Sequence, residues 1–520
     1  MSSILQPRVT ATLVAANSQS TNEEQKILIV NQMASTGTAT AGDLYKDVLM
    51  SDYNTLFGRR SIISNMLRTT QNVFDLALSK IRIDVIPLDD PSSGTQFEAD
   101  IVFSGIATED GELTFIIGSE NDNKYVIDVS NTDTAANIAT ALVAAITDDT
   151  NAPFTATLDT ATVKIKSIHK GTIGNNLSIK MDGTVDGVTY ALTITPGTGS
   201  PVLTNVFDVI GITRYQRIVW SDKFDLDTVV DFLDNRFNTV NSIQDGVAII
   251  TSSDTLANLK TLGNSYNSQS LTILNGGPLQ TSSTFKGSLI LEISEKSSAC
   301  FAAFCAIKLT DSANLTSFIT ASVTSNDALG GMHMASFPYF NTLMLNHIPC
   351  DTNLYWTQDE QDELVDAGIS IFGNDQNNNN VILSTTLTTY KTDVSGNPNN
   401  SFKYLEYVDT EVNCREYLVV QTRSTFRQSR LTQGDTLPGY NMANAQMIGS
   451  FVDGVFSYLG QQSLVPTGTL TNGLSAAKFF KNNRSITIDY ASGKATISML
   501  LPIVTQLREM DYIIQVTFNI

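Results

Sequence analysis

The residues best suited to chemistry in this chain are few. Only three histidines occur, His169, His333 and His347, so a histidine-based acid/base or metal site has little to draw on. His333, in Gly330-Gly-Met-His-Met334, has the most unusual setting, and a packed or looped histidine accounts for it. The four cysteines, Cys300, Cys305, Cys350 and Cys414, form no CxxC pair and have no histidine at zinc-ligand spacing. Cys300 and Cys305 lie in the apolar run Ala299 to Ala306, which reads as buried thiols acting as small hydrophobes. Asp375-Gln-Asn-Asn-Asn-Asn380 begins like a calcium loop. It then places Asn380 where the sharp turn needs glycine and Thr386 where a bidentate glutamate is required. The phosphate-cradling GxxxxGK[ST] loop is absent, as are GxGxxG, GxSxG and HExxH. Acidic pairs such as Glu109-Asp110 and Asp148-Asp149 read as solvated turns. No cofactor or metal is expected, and the chain does not read as an enzyme.

Charge points the same way. The 32 basic and 52 acidic residues leave a net charge of −20, against the basic field that nucleic-acid binding requires. Against that background Arg423, Arg427 and Arg430 fall on one face if Tyr417 to Leu431 is a helix, with Arg415 two turns earlier. Such a face either pairs with local carboxylates or docks on an acidic protein surface, where charge sets register and speed of assembly. No charged leader with an apolar run opens the sequence, and no apolar stretch approaches the length of a membrane span.

The elements that would carry these residues alternate. Ile27 to Val30 and Ile81 to Pro87 read as strands on either side of helical spacing at Asp52 to Leu56 and Ser61 to Leu67. From Pro91 to Pro201 the texture changes to short strands at Ala99 to Ser104, Glu112 to Ile117, Lys124 to Val129, Thr155 to Leu158 and Thr162 to Ile168. They surround one helix, Thr134 to Ile146, capped near Asp133, and suggest a compact inserted domain. Alternation then returns with strands at Tyr215 to Trp220, Gly246 to Thr251 and Leu271 to Asn275 and helices at Leu226 to Phe237 and Thr255 to Leu262, which argues for an α/β layer with parallel strands. A hairpin is expected between Ile369 to Phe372 and Val381 to Leu387. Asn444 to Leu459 carries an apolar stripe at helical spacing, and Ser485 to Tyr490 and Lys494 to Leu500 flank the turn Ala491-Ser-Gly493.

Both ends read as strands: Val9 to Ala15, and Tyr512 to Ile520. The first has no evident hairpin partner in its own neighbourhood, so it either pairs elsewhere in its own monomer or adds to the sheet edge of another chain. The second alternative describes an assembling structural protein.

A series of segments occurs in a definite order: Leu56-Phe-Gly-Arg59 with Ser61 and Met66; Ile83 to Asp90; Asp133-Thr-Ala before the Ala-rich helix; and His169-Lys-Gly-Thr-Ile-Gly-Asn-Asn-Leu177. It continues through Leu262-Gly263 with Asn267-Ser268, Asp366 to Ser370 with Thr388 to Tyr390, Pro438-Gly439, and Leu500 to Phe518. This order resembles the contractile tail sheath proteins of Mu-like bacteriophages across nearly the whole chain. Thr310 to Leu315, where members often carry a proline-rich segment, departs from the pattern.

The resemblance implies an α/β and α+β multidomain chain: a central α/β sheath core, an inserted β-rich domain and extended N- and C-terminal strand arms. Its units would be an arm at 1–20, a sheath domain at 21–90 plus 201–360, an outer insert at 91–200, a C-terminal domain facing the tube at 361–510, and an arm at 511–520. It implies a structural subunit of a virion tail, assembled in the host bacterial cytoplasm as a helical homo-oligomer around a tail tube protein. Baseplate and tail terminator proteins would be further partners, with neither nucleic acid nor a membrane anchor. The arms, with Arg8, Val9, Leu13 and Val14 at one end and Tyr512, Ile514, Val516 and Phe518 at the other, would join a neighbour's hairpin through Ile486, Ile488, Tyr490, Thr496, Ser498 and Leu500. Arg423, Arg427 and Arg430 would face the tube. The alternative from another class is a receptor-binding or adhesin-like phage protein that grips a cell surface through the insert.

Overall fold

The computed structural model describes residues 25–77, 81–237, 244–277, 287, 292–309, 339, 342–344, 347–349, 354–375, 380–435 and 441–505. Its centre is a six-stranded sheet in the order β14-β12-β11-β10-β1-β2: β1 (Lys26–Gln32), β2 (Arg82–Leu88), β10 (Arg217–Val219), β11 (Val247–Ser252), β12 (Leu271–Asn275) and β14 (Ile369–Ser370). Every pairing in it is parallel. The strands are apolar on both faces because both are covered. Along β1, Ile27 and Ile29 enter one apolar cluster while Leu28 and Val30 enter the other.

On the first face lie α1 (Tyr53–Phe57), α2 (Ile62–Ala77) and α7 (Ser294–Leu309). Residues 294–307 of α7 are buried all round, so this helix is a core element and not an amphipathic surface one. Cys300 and Cys305 are buried there, as their apolar run implies. The opposite face carries α4 (Val206–Ile210), α5 (Leu226–Asp234), α6 (Leu256–Ser265) and α8 (Gln358–Asp366). A capping box of Thr357 and Glu360 starts α8. Since β14 pairs with β12, the α/β layer runs past residue 360, where the sequence reading divides it. Ile369 and Ser370 therefore belong to the parallel sheet, and the expected hairpin begins only at Phe372. It forms from β15 (Phe372–Asp375) and β16 (Asn380–Leu383), with β13 (Thr342–Leu343) on the far side of β16.

Between β2 and β10 the chain builds two antiparallel sheets. One has the order β6-β7-β3-β9, from β3 (Gln96–Gly105), β6 (Phe154–Asp159), β7 (Thr162–Lys170) and β9 (Val188–Thr195); the other is β5-β4-β8, from β4 (Gly111–Ile117), β5 (Lys124–Val129) and β8 (Ile179–Asp182). Buried and exposed residues alternate strictly along β5, as in a half-buried strand. The helix packed among these strands, α3 (Ala135–Asp148), is capped by the Thr134 hydroxyl, one residue later than expected. Asp133 instead accepts from the Ser130 N–H at 2.8 Å and the Asn137 amide at 3.2 Å. Phe103, Phe115 and Leu142 of these sheets and helix share one apolar cluster with Ile29 and Val85 of the central sheet. At about 1.5–3 kcal/mol for each buried aliphatic or aromatic side chain, that continuity binds the two parts firmly.

The last third contains α9 (Leu405–Phe426), a short parallel pair β17 (Arg430–Leu431) and β18 (Met442–Ala443), α10 (Ala445–Gln461), α11 (Ala476–Asn482) and the hairpin β19 (Arg484–Asp489) and β20 (Lys494–Met499). Val452, Val455, Phe456 and Leu459 of α10 meet Cys414 of α9 and Phe480 of α11 in a separate apolar cluster. No helix among the described residues is long and apolar enough to cross a membrane.

Candidate assembly surface

Among the described residues, β19 and β20 pair only with each other, so each leaves one edge of backbone donors and acceptors without a strand beside it. Their register places Ile486 opposite Ile497 and Ile488 opposite Ala495 on one face, with Ser485 opposite Ser498 and Thr487 opposite Thr496 on the other. The half-buried Ile486, Ile488, Ile497 and Met499 form the inner face, and Ser485, Thr487, Thr496 and Ser498 are exposed. The six residues expected to receive an arm thus divide: Ile486 and Ile488 point inward, Thr496 and Ser498 outward. Tyr490 lies in the turn and Leu500 beyond the strand end, both exposed.

The turn differs from expectation as well. Asp489 pairs with Lys494, so the loop spans Tyr490 to Gly493 and not only Ala491 to Gly493. The Asp489 carboxylate accepts from the Ser492 hydroxyl at 2.6 Å and the Ala491 and Ser492 N–H groups at 3.0 and 3.3 Å. These bonds hold its pKa below the ordinary carboxylate value and draw Tyr490 out of the ladder. Gly493 takes φ +69°, where a side chain would be strained.

Residues the sequence reading did not single out hold the hairpin in place. Arg484 donates to Asp453 and, at 2.7 Å, to the Gly449 carbonyl of α10. Lys481 adds a second cation 3.5 Å from Asp453. A Cβ on Gly449 would stand 3.2 Å from Arg484 Nη2 and 3.4 Å from Ile486 Cδ1, so glycine there lets the hairpin approach the helix. The one signal in the sequence was the i, i+4 pair Gly449 and Asp453 on α10.

Arg423, Arg427 and Arg430 are exposed but do not share a helical face. α9 ends at Phe426, Arg427 is its C-cap, Gln428 turns the chain with φ +66°, and Arg430 stands in β17. The helix stops because β17 pairs with β18, placing Arg430 opposite Met442. Arg415 is engaged locally by Asp245. Beside the hairpin, a cavity of about 520 Å³ opens between α9, α10 and the β20 end, lined by Leu418, Val452, Phe456, Met499, Leu500 and Leu501.

The chemistry-bearing residues serve the fold. His169 is buried; its Nε2 accepts from the Ile62 N–H at 3.0 Å, which leaves Nδ1 to donate to Asp90 at 2.8 Å. His347 meets the Ser297 hydroxyl at 3.0 Å. Asp149, expected to be solvated, is half-buried and accepts from Tyr125 and Asn123, each at 2.9 Å. In doubly wound sheets, ligands bind outside the carboxyl ends of strands where the order reverses, here between β1 and β10. Residues from the segment between β2 and β10 close on this place: Gln32 reaches the Lys170 carbonyl at 2.9 Å, and Asn176 reaches Asp222 at 3.3 Å. No group of three or more metal-ligating side chains gathers among the described residues. The two terminal arms with all eight of their named residues, and also His333, Cys350, the tip of the Asn-rich turn and Thr310 to Leu315, lie outside the described residues.

No family model matches the chain. Among curated proteins it is 21% identical over 450 residues to the Mu-like prophage FluMu tail sheath protein of Haemophilus influenzae, spanning 85% of this chain and 84% of that one. Among solved structures, the sheath tail protein of Desulfitobacterium hafniense aligns over 93% of this chain and 97% of its own with a TM-score of 0.44 and 9% identity. The sheath tail protein of Listeria innocua aligns over 93% of both chains with a TM-score of 0.44 and 13% identity. The contracted helical sheath of the anti-feeding prophage aligns over 100% of both chains with a TM-score of 0.40 and 10% identity. The resemblance carried by the order of sequence segments therefore has its counterpart in a curated relative: along 85% of its length the chain is related to a tail sheath protein of a Mu-like prophage.

Proposed function

We propose that the chain is the structural subunit of a contractile tail sheath: it polymerises around a tail tube as a metastable extended helix and contracts to drive the tube through a host envelope. The observation that carries this reading is the 450-residue similarity to a Mu-like tail sheath protein, which covers most of both chains. The reading is mechanical and non-catalytic. Work comes from the free-energy difference between two subunit packings, so no nucleotide is consumed.

In this reading, subunits are tied by the terminal strands, Arg8 to Ala15 and Asp511 to Ile520, added to the β19–β20 hairpin of neighbours. The open edges of that hairpin support it. Four to six added backbone hydrogen bonds at about 1 kcal/mol net each would link subunits by several kcal/mol while leaving them free to rotate as rigid bodies. The insert from Pro91 to Pro201 would face outward. Arg423, Arg427 and Arg430, though not on one helix face, would meet an acidic tube surface at the end of α9. Baseplate and terminator proteins would hold the ends of the helix, with assembly in the cytoplasm of the host cell.

Negative-stain electron microscopy of the purified chain, beside a version lacking Met1 to Ala16, tests the reading. Long hollow tubes from the full chain alone are expected. Dispersed particles from both, even when tail tube is supplied as a template, would overturn assembly through donated arms.

A further inference from the structure

At the carboxyl ends of β1 and β10 the root of the inserted sheets is seated on the core through buried polar groups. Glu295, in the first turn of α7, is 1% exposed. Its Oε1 accepts from Asn176 Nδ2 at 2.8 Å and from the Ser221 hydroxyl at 2.9 Å, while its Oε2 has no hydrogen-bond partner among the described residues. Asn176 ends the short 3-10 helix Thr172–Asn176 of the inserted part, and Ser221 follows β10, so this carboxyl joins the two. Nearby, Glu292 accepts from Ser119 at 2.9 Å and from Lys296 at 2.8 Å, and Lys296 also reaches Asp122.

The cations around Glu295 are already engaged. Lys223 is held by Asp222 at 2.8 Å, and Lys296 lies between Glu292 and Asp122. Lys223 also interacts with the Glu295 charge and with Asp254 after β11, and Arg68 of α2 acts on Asp122. Glu295 is therefore a buried carboxyl whose cationic neighbour, Lys223, is paired with Asp222, with a like charge beside it at Asp222 and no partner for one oxygen among the described residues. Such a group favours its neutral form, and both hydrogen bonds to Oε1 survive protonation at Oε2.

We propose that Glu295 is a proton-operated latch on the inserted sheets: neutral, it seats their root on the parallel sheet; ionised, it loosens that seat. The inference rests on the fold alone and stands whether or not the chain assembles. Burial, reinforced by Asp222, pushes the Glu295 carboxyl up from its ordinary 4.5 to about 7. The sign follows: a raised folded-state pKa gives a contribution that is complete below 4.5 and lost as pH climbs to about 7. Opening of the root should therefore become about tenfold easier per pH unit across that window, up to roughly 300-fold, and level off above it.

Amide hydrogen exchange of the full chain between pH 4.5 and 8.5, corrected for intrinsic rates and read at 118–123 and 172–178, tests this. The parent should lose protection as pH rises and bend near pH 7, while Glu295→Gln should stay flat at the acid-form level. Ser221→Ala keeps the carboxyl and removes one donor that favours its charged form, so its bend should move to higher pH. A Glu295→Gln profile that follows the parent's, or a Ser221→Ala bend that does not move, would overturn the latch. If Glu295→Gln does not fold, the Ser221→Ala bend decides alone.

Discussion

Arg217 of β10 and Asp409 of α9 meet at 2.5 Å inside the protein, with the Tyr339 hydroxyl donating to the same carboxylate oxygen at 2.5 Å. The pair fixes the final third of the chain against the central sheet. Arg214 with Glu416 at 2.9 Å, and Arg415 with Asp245, repeat the link about two turns along the helix. Leu405, Val408 and Val412 bury the face between these contacts. The first half of α9 is thus a strap, and the second half, with Arg423, projects beyond it.

Removing one partner leaves the other charged and buried, which costs about 3–5 kcal/mol. Asp409→Asn is therefore expected to lower the midpoint of the first urea transition markedly. The double change Arg217→Met with Asp409→Leu should recover much of the loss. Equal midpoints for the parent and Asp409→Asn would mean that the strap is held by apolar contact alone.

Two carboxyls at the root of the inserted sheets titrate in opposite senses. Burial acts to raise Asp90, but His169, the Lys170 N–H and Gln32 together pull it below its ordinary 3.8. Its contribution is complete above 3.8 and fades as pH falls through the lowered value, whereas that of Glu295 fades as pH rises from 4.5 to about 7. Protease resistance of the root should peak near pH 4–5, between these windows. Asp90→Asn should flatten only the acid limb and Glu295→Gln only the neutral one.

Gly449 allows a graded test of the hairpin seat. Gly449→Ala places a Cβ at the limit of contact with Arg484 and Ile486, offset by up to about 1 kcal/mol of helix propensity, so near-neutral behaviour is expected. Gly449→Val adds two methyls where no room remains and should displace β19. Assembly into tubes should drop severalfold for the valine change, with the melting of the α/β layer unchanged. A valine variant that assembles like the parent would separate assembly from the hairpin's position.

These contacts also mark how far the sequence could be read. Strand and helix alternation from Ile27 to Asn275 gave the parallel sheet because apolar runs with short connections admit few other arrangements. β8 and β9 carry a weak strand signal in the sequence, because Lys180 and Asp182 punctuate one and the other is half-exposed along its length. The expected helix through Arg430 failed because pairing with Met442, a tertiary event, outweighed local spacing. For the hairpin the sequence supplied the strands but not their faces, which depend on a turn held by Asp489 and an anchor supplied by Arg484.

The end of α9 offers the most direct test of tube contact. Arg427 and Arg430 are exposed, and neither belongs to the strap of buried ion pairs that fixes the helix. Reversing both, Arg427→Glu with Arg430→Glu, should therefore leave folding and self-assembly within about 0.5 kcal/mol of the parent, as for surface changes away from packed contacts. If these arginines meet an acidic tube, the reversal places like charges across the contact and should cut co-sedimentation with tube at least tenfold. Raising salt from low to physiological should weaken binding by the parent, because exposed charges are screened beyond about 8–10 Å. The reversed variant should instead bind slightly better as salt screens the repulsion. Equal co-sedimentation by parent and variant at low salt would assign tube contact to another surface, with the β19–β20 turn next to be reversed at Lys494.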